Sequence, residues 1–234
     1  MSVHHYRTLG LACIFLAASA SAAELSYTFI DFQYVTKAVE AQGTQFPVPI
    51  QSVEVVTDAG DGIAIAGSLA IGENFFIAGR FQSSIVDLSA VITNPFGTNL
   101  EEENFDVIQS RLSAGYRVEL SDNFDLVFDV SYDSKEFDFG SLAGEDFDMA
   151  EAGVGASAGF RWSPTRSLEI FGSGIYSSTG FADIDQLTFS ADTSYRLGFF
   201  WYFFEDLGFG VDYEDGQVET VSFSMRFSFG ELTQ

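Results

Sequence analysis

Two groups of residues in this 234-residue chain could do chemistry. The first is Gly155-Ala156-Ser157-Ala158-Gly159, which spells the Gly-x-Ser-x-Gly of a nucleophile elbow. That chemistry needs a sharp strand-to-helix turn to expose the serine and a histidine to take its proton. Here the pentapeptide lies in an alternating run of small residues. The two histidines, His4 and His5, and the one cysteine, Cys13, all fall near the start of the chain. No histidine or thiol remains elsewhere to act near neutral pH, so an enzyme is not expected. The second group is ionic. Arg80, Arg111, Arg117, Arg161, Arg196 and Arg226 each occupy the face of an alternating run opposite the large apolar side chains. Asp31, Glu119, Asp125, Asp129, Asp133, Glu151 and Asp212 share that face. A guanidinium can bridge two carboxylates at once, so the expected chemistry is a structural Arg–carboxylate network rather than turnover.

The elements that hold these residues are strands. In the final run, Val221, Phe223, Met225, Phe227 and Phe229 alternate with Ser222, Ser224, Arg226 and Ser228, the period of two of a strand with one greasy and one polar face. The same alternation marks Leu112–Leu120, Phe124–Asp133, Val154–Trp162 and Leu207–Tyr213. The run Leu168–Tyr176 is apolar on both faces, and its register is left open. Ten runs can be traced, joined alternately by tight turns (72–74, 121–123, 163–167, 204–206) and by longer polar connections (37–61, 86–104, 136–148, 177–186). A short Asp215-Gly216 turn leads into the last strand. Eight strands is the alternative count.

The start of the chain supplies a compartment. A head with Arg7, a short apolar run at Leu11–Ala18 and the small residues up to Ala23 read as a secretory signal peptide over residues 1–23. Its removal leaves nine basic and 34 acidic residues and moves the net charge from −24 to −25. No later run is long and apolar enough for a transmembrane helix. An exported β-protein with sorted short and long connections is expected to be a closed antiparallel up-and-down transmembrane β-barrel over residues 24–234. Arg or Lys on a lipid face near the midplane costs roughly 2–4 kcal/mol, which explains the inward placement of the arginines. Trp162 and Trp201 beside short turns, and Tyr132, Tyr176 and Tyr213 near the opposite strand ends, are expected to mark the two water–lipid interfaces.

The terminal Phe227-x-Phe229 pair is similar to the C-terminal aromatic signal of small bacterial outer-membrane β-barrel proteins, and the architecture resembles their OmpA-like transmembrane-domain and porin-like superfamily. Ser224 stands where that signal often has glycine, and Gly230–Gln234 follow it. The resemblance implies a Gram-negative outer-membrane location, contact with outer-membrane lipid and lipopolysaccharide, and assembly by the barrel assembly machinery through Phe227 and Phe229. A monomer without cofactor or resident metal is expected. The role expected is non-enzymatic, in envelope integrity or surface interaction, with a narrow channel for ions or small solutes as the alternative. Acidic stretches such as Glu101-Glu102-Glu103 and Glu136–Asp148 read either as a solvated surface or as carboxylates bridged by divalent cations to lipopolysaccharide phosphates. The negative charge repels nucleic acid.

Overall fold

In the computed structural model, the described residues are 25–38, 52–94, 97–142, 145–179, 182–183, 188–189, 191–216 and 219–229. The expected signal peptide lies outside them, as do most side chains of the acidic connections. The strands are β1 (Phe29–Ala38), β2 (Ser52–Ile71), β3 (Phe75–Asn94), β4 (Gly97–Ser121), β5 (Phe124–Leu142), β6 (Glu145–Thr165), β7 (Leu168–Ser177), a small pair β8 (Ala182–Asp183) and β9 (Thr188–Phe189), then β10 (Asp192–Phe204), β11 (Leu207–Asp215) and β12 (Glu219–Ser228). Ten of them close into one antiparallel barrel, each paired with its neighbours and β1 paired with β12 as well as β2. Closure leaves no free edge, so every ladder N–H and C=O of the wall has a partner inside the wall.

The strands run further than their hydrophobic pattern suggests. The connection expected at 86–104 is in fact a ladder, with β3 and β4 paired out to Asn94 and Gly97. The connection at 136–148 likewise carries paired strand out to Leu142 and Glu145. Once a strand leaves the apolar layer it no longer needs an apolar face, so polar sequence continues the sheet. The run expected from Leu187 divides into β9 and a β10 that starts at Asp192. The connections at 72–74, 122–123, 166–167 and 205–206 lie at one end, and the expected contrast with long connections at the other end does not hold for β3–β4 or β5–β6, whose pairing reaches Asn94–Gly97 and Leu142–Glu145. Gly72 takes a φ of 69° in the first of these turns, a backbone conformation that only glycine adopts without strain.

The outer wall is apolar. Ile63, Leu112, Val130, Val154 and Phe223 are among many large side chains more than half exposed on it. Trp162, Trp201, Phe75 and Phe203 are exposed near the short turns, and Tyr34, Tyr132, Tyr176 and Tyr195 are exposed toward the other end. Tyr213 belongs to the same upper level, 6.5 Å from Tyr195 between ring centroids. Phe227 and Phe229 lie exposed on the outer face close to the turn end, where Phe229 N–H donates to the Thr28 carbonyl. The inner face carries the buried polar groups, including Asp31, Arg117, Asp125, Asp133, Arg161, Asp212 and Arg226.

Candidate functional site: the charged lumen

β7 supplies the register that its sequence left open. Glu169, Phe171, Ser173, Ile175 and Ser177 line the lumen, while Leu168, Ile170 and Tyr176 are on the outer wall. The inner face here carries a phenylalanine and an isoleucine, which is why the alternation failed. Glu169, absent from the sequence-derived set, is 2% exposed and is the most connected acid of the interior. It accepts from Arg161 Nε at 2.8 Å, from Arg226 Nη1 at 3.3 Å and from the Tyr202 hydroxyl at 2.9 Å. A lone acid inside an otherwise apolar run was the available signal.

Arg226 is the centre of the turn-end half. It faces Asp31 directly across the β1–β12 ladder and holds it through two parallel bonds, Nε to Oδ1 at 2.8 Å and Nη2 to Oδ2 at 2.9 Å. Its guanidinium is sandwiched between two rings, 3.8 Å from the Phe29 centroid and 3.7 Å from that of Phe200. Both ring faces attract the cation, so the group is held in plane by carboxylates and from above and below by aromatics. Beside it, Arg161 lies 4.4 Å from the Tyr27 ring centroid and Arg117 lies 4.8 Å from it. Arg161 Nη2 has no hydrogen-bond partner among the described residues, and the Tyr27 face takes that role. The Tyr27 hydroxyl donates to Asp125 at 2.8 Å, and Asp125 is 3.9 Å from Arg117.

Three arginines (117, 161, 226) thus meet three carboxylates (Asp31, Asp125, Glu169), all at least nine-tenths buried. Leu25, Tyr27 and Phe76 form a buried apolar cluster beside them. Inward glycines make room for the rings. A side chain at Gly115 would run into the Phe76 ring, and one at Gly210 would meet Phe200 Cδ1 at 2.7 Å.

The other half of the lumen is looser. Arg111 holds Asp133 at 2.7 and 3.1 Å, Arg196 holds Asp212 at 2.7 Å, and Arg80 reaches Glu214 only at 3.6 Å. Arg80 faces Arg111 directly in the β3–β4 ladder, so like charges adjoin and Arg80 must look across the lumen for an acid. Asp129 accepts from the Ser157 hydroxyl. Ser157 sits in regular β5–β6 register, without the strand-to-helix turn an elbow requires. Glu151 lies further up β6 with one carboxylate oxygen unpartnered among the described residues. Glu119 is the exception to the expected set: it is exposed at the turn-end rim, outside the packed lumen, because β4 there has passed the aromatic floor. Its parity is inward, but its position along the axis puts it in water. Above the floor lies a cavity of about 340 Å³, bounded below by Phe29 and Phe76 and above by Lys37, Lys135 and Asp192.

A closed sheet with an apolar belt outside, aromatics at both rims and paired charges inside is the β-architecture that spans a bilayer. The chain is a transmembrane β-barrel. No known family profile matches the chain, and no curated protein matches it. Among solved structures the barrel is similar to Ail, the attachment invasion locus protein of Yersinia pestis, with a TM-score of 0.41 and 13% identity over 86% of this chain and 97% of that one. It is also similar to the outer membrane protein OprG from Pseudomonas aeruginosa, with a TM-score of 0.43 and 8% identity over 88% and 99% of the two chains. The beta domain of the Bordetella autotransporter BrkA gives a TM-score of 0.45 and 10% identity over 87% and 100%.

Proposed function

We propose that this barrel is a non-enzymatic envelope protein with a closed lumen, acting in envelope integrity or surface interaction. The observation that carries the reading is the clamp on Arg226, held by Asp31 and Glu169 and stacked between Phe29 and Phe200. A solute crossing the barrel would have to separate Arg226 from both carboxylates and both rings in one layer. Breaking a buried ion pair strands a charge at a cost of roughly 3–5 kcal/mol, which opposes spontaneous opening. Interaction with outer-membrane lipid and lipopolysaccharide, assembly through Phe227 and Phe229, divalent cations at the acidic external edge and a monomeric state belong to the same proposal.

A narrow channel is the second reading. The cavity favours it, because its lining runs from Lys37 and Lys135 to Arg161, Glu169 and Arg226 and so reaches into the layer that would have to open. Planar-bilayer recording separates the two. The closed reading expects at most small, flickering conductance, and stable conductance of porin size would overturn it. A deletion strain tested under detergent stress checks the envelope role, with impaired growth expected.

A further inference from the structure

The cavity in the looser half of the lumen has walls that its own ion pairs do not satisfy. Two ladder rows line it on the β1–β4 side. The lower row runs Asp31, Ala66, Arg80, Arg111 across β1 to β4. The next inward row runs Gln33, Ala64, Gln82, Gln109 across the same strands. The alanines of β2 keep this wall low between the polar side chains. Gln33 is 4% exposed and neither amide atom has a hydrogen-bond partner among the described residues; Gln82 is 3% exposed and its Nε2 has none. Arg80 Nε is buried and unpartnered as well. Lys37 is 4% exposed, donates to Gln109 Oε1 at 3.1 Å and has no carboxylate within ion-pair distance among the described residues. Buried polar groups without partners are uncommon, and several of them on one cavity wall amount to a set of contacts awaiting a ligand.

The chemistry of that wall is specific. Arg80 and Lys37 are cations with donors to spare, which suits a carboxylate. Gln33 offers both a donor and an acceptor, and Gln82 a donor, which suits hydroxyl groups that both give and accept. A volume of about 340 Å³ falls at the small end of ligand sites, roughly 300–1,000 Å³. We infer that this wall binds a free, small hydroxylated carboxylate, such as a sugar acid, between Arg80, Lys37 and the glutamine row. The site does not require the lumen to be open or closed, so binding and conductance are read independently.

The test is titration calorimetry on the refolded full chain in detergent, with glucuronate as probe and glucose as its uncharged counterpart. Saturable glucuronate binding is expected at a Kd of about 1 mM or tighter, with glucose weaker by about tenfold or more. Arg80→Gln and Gln82→Leu are each expected to weaken glucuronate by about tenfold, in protein that keeps the heat-modifiable gel mobility of a folded barrel. Lys37→Gln serves the same purpose should either variant fail to fold. No saturation at about 10 mM glucuronate, equal binding of glucose, or unchanged affinity in the folded variants would overturn the proposal. Bilayer conductance of the same preparation bears only on the closed-lumen reading.

Discussion

The two halves of the lumen use the same ingredients, arginines and carboxylates on inward-facing strand positions, and end in different states. In the turn-end half each guanidinium also meets a ring: Arg226 meets Phe29 and Phe200, and Arg161 and Arg117 meet Tyr27. In the looser half Arg196 alone meets a ring, that of Phe171 at 5.4 Å, and the other neighbours are small or polar: Ala64, Ala66, Ser173 and the glutamine row. The difference teaches that ion pairs alone do not fill a barrel. Rings stacked on the guanidinium groups make the pairs dense; where such contacts are fewer and longer, the same pairs leave a cavity.

The comparison breaks most sharply at Arg226. Arg226→Ala strands Asp31, while Glu169 keeps Arg161 and Tyr202, and is expected to cost about 3–5 kcal/mol in reversible urea unfolding of the lipid-embedded barrel. Asp31→Ala in the Arg226→Ala background should then cost less than it does alone, which a double-mutant cycle reads directly. Phe200→Ala removes a ring that is 1% exposed and is expected to cost about 3 kcal/mol or more. It also removes one wall of the sandwich, so bilayer recordings should show longer openings than wild type. If Phe200→Ala leaves both stability and conductance unchanged, the aromatic seal is not what distinguishes the halves.

In the looser half, the Arg111 side chain is 27% exposed but its partner Asp133 only 7%. Arg111→Gln should therefore cost less than Arg226→Ala, about 1–3 kcal/mol, because Asp133 stays buried but keeps its bond from Ser177. Glu119→Gln at the exposed rim is expected to change stability by less than about 0.5 kcal/mol. An effect of Glu119→Gln as large as that of Arg226→Ala would mean that parity, not depth, governs the network.

Much of the fold is legible in the residues alone. Period-two alternation and the exported β-composition lead to a closed ten-stranded barrel, although the long connections expected at 86–104 and 136–148 are largely paired strand. The same alternation puts Arg226 and Asp31 on inner faces, but it cannot say that they face each other, because residues 195 positions apart meet only through barrel closure. The strand extensions at 86–94 and 136–142 were hidden because sequence outside the bilayer carries no apolar mark. Glu169 was hidden because the aromatic floor breaks the pattern that would reveal it.

The sequence by itself determined the class of this protein, since a bilayer demands an apolar outer face and a polar inner one at every second residue. Only the tertiary structure decided what the inside does. Register and barrel stagger choose which charge meets which, which rings cover them, and where along the axis the lumen is packed or hollow. Those are relations between strands, and a period within one strand does not contain them.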